Sequence, residues 1–168
     1  MKTKFPIYLE SSRIFSNSNQ AANLNSKTKI GENKSGIIIY SPYEAFYLLE
    51  EKKAEIISKN KSLKQSEAIK RFSKNKNFLT NYLVFRDLTK KGYLLKTGLK
   101  FGEEFRVYQK KEKHAKWLVF PVSQKDKINP KDLASKNRIA HTTGKRLLLA
   151  LIDSQEDITY LEINWTKP

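Results

Sequence analysis

The sequence predicts an α/β (α+β) protein: a small N-terminal α/β domain over residues 1–77, then a C-terminal domain over residues 78–168 whose central mixed or antiparallel sheet is flanked by helices. Three features predict it. Ser41-Pro42-Tyr43-Glu44 is a strong helix start after a run of strand formers. Beyond Gly102 the apolar pattern changes to period two. Trp117 to Val122 and Leu147 to Ile152 are apolar enough for central strands.

Ile7 and Leu9 fall in a first strand and Gly36-Ile37-Ile38-Ile39-Tyr40 in another. The Ser-, Asn- and Lys-rich stretch from Ser11 to Ser35 reads as loops and turns. In the helix that follows, Ser41 caps, Pro42 suits the first helical position, Glu44 completes a capping box, and Tyr43, Phe46 and Tyr47 form a buried stripe. A short helix over Ser66 to Phe72 turns Ile69 and Phe72 inward, and the polar run Ser73-Lys74-Asn75-Lys76-Asn77 marks the domain boundary. Phe78, Tyr82 and Phe85 are spaced for a helix that ends at Gly92. Phe105 and Val107 then alternate with Arg106 and Tyr108, which places Tyr108 on the face opposite the core. Trp117 is expected in the core. Thr159, Leu161, Ile163 and Trp165 define one face of a last strand, and no internal repeat is visible.

With 168 residues, 39% of them hydrophobic, the chain can bury a core. Its 33 Lys and Arg against 17 Asp and Glu give a net charge of +16, spread along the sequence, which points to a polyanionic partner such as nucleic acid. Without cysteine, disulfides, thiol nucleophiles and Cys-based zinc sites are excluded, and His114 and His141 are the available imidazoles. No stretch approaches the roughly 18 apolar residues of a membrane span, and the N-terminus is too short and interrupted for a signal peptide. A soluble, cytoplasmic protein is expected.

The candidate chemistry lies in the second half. A strand ending in Tyr108, a polar connection from Gln109 to Lys113, His114 opening the next strand and Lys145 opening a third bring a phenol, an imidazole and an ammonium together. These are the parts needed for acid–base cleavage of RNA without a metal: a base for the 2′-hydroxyl, an acid for the leaving 5′-oxygen and a cation for the phosphorane. Read alone, Tyr108 is equally an edge-strand tyrosine, His114 a turn residue and Lys145 one lysine among many.

A longer pattern distinguishes these readings. It runs through Tyr82-Leu83-Val84-Phe85-Arg86-Asp87-Leu88 and Gly92-Tyr93 to Thr97-Gly98-Leu99-Lys100-Phe101-Gly102 and the strand bearing Tyr108. It continues at His114-Ala115-Lys116-Trp117-Leu118-Val119 and at Arg138-Ile139-Ala140-His141-Thr142-Thr143-Gly144-Lys145. This set resembles the tRNA-intron endonuclease family of archaeal type, and Ser41 to Glu50 is similar to that family's first-domain helix.

The resemblance implies a restriction-endonuclease-like outline for a catalytic nuclease domain over residues 78–168. It implies Tyr108 as general base, His114 as general acid and Lys145 as transition-state stabiliser, with 2′,3′-cyclic phosphate and 5′-hydroxyl products and no cofactor or metal. A free phenol titrates near ~10, so Arg106, Lys110 and Lys145 are expected to make its surroundings positive. Arg138, and with it Arg106, is expected to contact RNA, because a guanidinium stacks on a base and pairs with phosphate at once. The substrate implied is precursor tRNA with a bulge-helix-bulge splice site. One catalytic set in a short chain implies a tetramer, with two non-catalytic homologous partners favoured over four identical chains. The acidic turn bearing Asp153, Glu156 and Asp157 is expected to contact a neighbouring subunit, and the last strand through Trp165 to pair with its twin.

Two other readings differ in testable ways. A magnesium-dependent nuclease needs clustered carboxylates with a lysine, whereas Asp126, Asp132 and Glu162 lie without a Glu-x-Lys strand. A non-catalytic RNA-binding or structural subunit of the same complex is expected to lose members of the tyrosine, histidine and lysine set, and all three positions are occupied here.

Overall fold

The computed structural model of the protein describes residues 4–11, 13–74, 76–97, 105–109 and 112–166. The chain divides into two compact units, Met1–Phe78 and Leu79–Pro168. The predicted turn Thr97 to Gly102 lies outside the described residues beyond Thr97, as do Lys110 and Lys111.

In the first unit β1 (Phe5–Glu10), β2 (Arg13–Ser16), α1 (Asn19–Thr28), β3 (Glu32–Lys34), β4 (Ile37–Ile39), α2 (Pro42–Glu50), β5 (Ala54–Ser58), β6 (Lys61–Ser62) and α3 (Gln65–Phe72) follow one another. The sheet order is β3-β4-β2-β1-β5-β6, with β1 and β5 parallel. Phe5, Ile7 and Leu9 on β1 and Ala54 and Ile56 on β5 are buried, as period-two patterning requires. The capping box forms as expected: Glu44 N donates to Ser41 Oγ at 3.2 Å and Ser41 N to Glu44 Oε2 at 2.9 Å. Tyr43 stacks on Phe78 at 5.2 Å, with Phe46 and Phe72 against the same ring.

The stretch from Ser11 to Ser35 is not a run of loops; it carries β2, α1 and β3. Helix α1 forms despite a polar sequence because its ends are capped. Ala21 N donates to Ser18 Oγ at 3.1 Å, Lys29 closes the helix in the left-handed region, and Asn25 Nδ2 donates to the carbonyls of Ile30 and Gly31. Strand β5 was also not evident in the sequence, because its parallel partner β1 lies far away along the chain.

The second unit contains the rest of α4 (Phe78–Lys90), β7 (Leu94–Thr97), β8 (Phe105–Tyr108), β9 (Trp117–Ser123), α5 (Pro130–Thr142), β10 (Arg146–Ile152) and β11 (Ile158–Ile163). The sheet is mixed, in the order β11-β10-β9-β8-β7, with β9 parallel to β10 and the other pairs antiparallel. Parallel neighbours need a crossover, and α5 is that crossover. Helix α4 covers one face, its Phe85 lying 5.9 Å from Phe105. Helix α5 covers the other, where Ala140 packs with Leu118 and Leu147, flanked by Leu133, Ile139 and Ile163. Because Phe105 and Val107 face α4, alternation turns Arg106 and Tyr108 to the α5 side.

Two expectations are corrected. Trp117 is half-buried, not a core residue, because its indole N–H reaches across the sheet to the Glu162 carboxylate at 2.6 Å. The last strand stops at Ile163, so Trp165 lies beyond it and Leu161 and Trp165 are exposed.

Candidate active site

Tyr108, His114 and Lys145 belong to one end of three neighbouring strands. Val107 is opposite Trp117, and Trp117 is opposite Arg146. Lys116 N donates to the Val107 carbonyl at 2.9 Å and Arg146 N to the Lys116 carbonyl at 3.0 Å, which ties the three strand ends together. Tyr108 is the last residue of β8, His114 precedes β9, and Lys145 immediately precedes β10. At ~4.8 Å per strand, the backbone from β8 to β10 spans about 10 Å at this edge.

Each residue reaches that edge for a local reason. Tyr108 is half-buried and opposite Leu94. His114 is exposed in a bend, followed by buried Ala115, which anchors the chain as it enters β9. Lys145 is half-buried; its N–H donates to the Ala140 carbonyl at 2.8 Å and its Nζ to the Thr143 carbonyl at 2.7 Å, holding the ammonium against the C-terminus of α5. Cations are favoured at a helix C-terminus. Gly144, at φ +67, makes the left-handed step between helix and lysine.

The other predicted residues separate. Arg138 is exposed on α5, one turn before His141. Arg106 shares the Tyr108 face but sits two residues further along β8, half-buried, with its Nε enclosed and without a hydrogen-bond partner. Asp153, Glu156 and Asp157 lie in the turn at the opposite end of β10, about 20 Å away at ~3.3 Å per residue. In that turn the N–H groups of Gln155 and Asp157 donate to Asp153 Oδ1 at 2.8 and 3.0 Å, and Glu156 pairs with Arg86 at 3.7 Å. Asp126 accepts from Ser123 N in a turn, and Asp132 lies in the first turn of α5. Among the described residues no three His, Asp or Glu side chains converge as a metal-ligand set.

Three features of this edge escape a reading of the sequence. His141 stacks on Trp165 with ring centres 6.0 Å apart. Glu162 accepts from Trp117 Nε1 at 2.6 Å and from Arg146 NH1 at 2.7 Å. These two bonds hold the Glu162 carboxyl below the usual carboxylate range. Lys116 Nζ lies 4.4 Å from the Trp117 ring centre, and Tyr93 meets that ring edge-on. Sheet register carries the Glu162 pairings, since Trp117, Arg146 and Glu162 lie on different strands.

Comparison with known proteins gives the family. The family model described as tRNA intron endonuclease, catalytic C-terminal domain, matches residues 78–160. The tRNA-splicing endonuclease of Pyrococcus furiosus is 35% identical over 169 residues, covering 99% of each chain. That of Pyrococcus horikoshii is 33% identical over the same share. That of Nanoarchaeum equitans is 37% identical over 136 residues, 74% of this chain and 87% of that protein. A mixed sheet between helices makes the second unit an α/β domain, and the matched family makes it a catalytic one. More particularly, the chain belongs to the tRNA intron endonuclease family and is an RNA endonuclease.

Proposed function

We propose that this protein cleaves precursor tRNA at bulge-helix-bulge intron boundaries by metal-independent acid–base transfer. Tyr108 takes the proton of the 2′-hydroxyl, and the 2′-oxygen attacks phosphorus. His114 protonates the 5′-oxygen as the P–O5′ bond breaks, and Lys145 stabilises the charge that develops on the phosphorane. The products are a 2′,3′-cyclic phosphate and a 5′-hydroxyl. The observation that supports this reading is that Tyr108, His114 and Lys145 stand at the same end of β8, β9 and β10. Arg138, exposed on helix α5, which leads into Lys145, serves as the contact to an unpaired base.

A substrate with two cleavage points calls for two copies of the site at a fixed distance. The proposed assembly is a tetramer, formed with two non-catalytic homologous chains in preference to four identical ones. The internal bonds of Asp153 and the pairing of Glu156 with Arg86 favour this choice, since they already engage much of the acidic turn. Edge strand β11, with exposed Leu161, supplies the dimer contact.

The test uses a bulge-helix-bulge RNA in excess EDTA, with the chain alone and with a homologous partner. Wild type should leave cyclic phosphate ends, and His114→Ala should slow cleavage by about 10²–10⁴-fold. Activity that appears only with the partner identifies the heteromer. Loss of cutting in EDTA, or an unimpaired His114→Ala, removes the proposal.

A further inference from the structure

Lys145 and Arg146 together line a cleft of about 320 Å³, whose other walls include His141 and Trp165. Arg146 opens β10, and its side chain is 55% exposed. It does not hang freely in water, because NH1 donates to Glu162 Oε1 at 2.7 Å. The other Glu162 oxygen is bound by Trp117 Nε1 at 2.6 Å, so the carboxylate is fixed from a neighbouring part of the sheet. A guanidinium presents five N–H donors in a rigid fork, and one carboxylate oxygen leaves most of that fork for another acceptor.

We infer that Arg146 is a phosphate contact for the RNA strand passing Lys145, and that Glu162 is the positioning residue that aims it. This rests on the proposed reading of the Lys145 edge as the cleavage site. An exposed Arg–Glu pair by itself contributes little to stability. The backing by Trp117 and the place of Arg146 directly after Lys145 at the start of β10 give the pair a role in binding.

The experiment measures binding of a bulge-helix-bulge RNA carrying a 2′-deoxy nucleotide at each cleavage point, over a range of salt, using the active assembly. Such RNA binds but cannot be cut by 2′-oxygen attack. Arg146→Met should weaken binding by about 5- to 20-fold and lower the salt slope by about one phosphate contact. Arg146→Lys should keep the slope and lose several-fold in affinity, because an ammonium lacks the fork. Glu162→Gln should weaken binding in the wild-type background and leave it unchanged in the Arg146→Met background. Thermal unfolding of each variant separates binding from folding. Unchanged affinity and slope in folded Arg146→Met, or an equal effect of Glu162→Gln in both backgrounds, overturns the inference. Wild type that binds this RNA but fails to cut its all-ribose counterpart overturns the cleavage reading instead.

Discussion

The Tyr160 hydroxyl donates to Asp87 Oδ2 at 2.6 Å, and the Lys91 ammonium holds the same oxygen at 2.7 Å while lying 5.0 Å from the Tyr160 ring centre. This tie joins α4 to the edge strand β11. Burial, then the bond to Asp87 and its negative charge, push the phenol well above its ordinary value of 10.0. A raised folded-state pKa gives stability that is complete below the unfolded value and declines as pH rises past it. Tyr160→Phe should therefore cost about 1–2 kcal/mol near neutrality. The gap to wild type should narrow above pH ~10 in urea unfolding, where the unfolded phenol ionises. A gap that widens with pH contradicts this account of the tie. At this scale the strand-end positions of Tyr108, His114 and Lys145 were legible because the flanking patterns are local. Glu162 was not, because its partners lie 45 and 16 positions away and meet it only through sheet register.

Gly31 stands where α1 gives way to β3, at φ +81, and its N–H donates to the buried Glu44 Oε1 at 2.8 Å. A Cβ there would lie 2.5 Å from Ile38 Cγ2 and 2.9 Å from Tyr40 Cε1. Left-handed backbone and overpacking act together, so Gly31→Ala should destabilise the protein by roughly 2–4 kcal/mol, measured by urea unfolding. Unchanged stability would mean that this corner is loose. The same Glu44 carboxylate completes the α2 capping box, which is why that helix could be read directly from Ser41-Pro42-Tyr43-Glu44. Helix α1 could not, since Ala21 is its one buried residue among those described and its caps give weaker sequence signals than an apolar stripe. Helix α5 has a similarly thin stripe, with Ala140 buried. The pairings β1–β5 and β9–β10 are parallel and non-local, so turn chemistry in the sequence does not announce them.

Over the whole molecule, the +16 charge supplies a field that attracts a polyanion, and the proposed reading assigns the cleavage chemistry to the strand edge of the second unit. Among the described residues, no helix is long and apolar enough to cross a membrane. Strand β10 separates two polar groups of residues. Lys145 and Arg146 occupy its start, while the acidic turn with Asp153 and Glu156 occupies its end. On the proposed reading the cleavage step belongs to the first of these ends, and it can be tested in isolation. The most direct measurement is the cleavage rate on RNA whose scissile 5′-oxygen is replaced by sulfur. A thiolate leaves without being protonated, so a general acid becomes unnecessary. General-acid action by His114 predicts that His114→Ala cuts the thio substrate at close to the wild-type rate while Tyr108→Phe stays slow on both substrates. A His114→Ala defect that is equally deep on oxygen and sulfur would contradict the assignment.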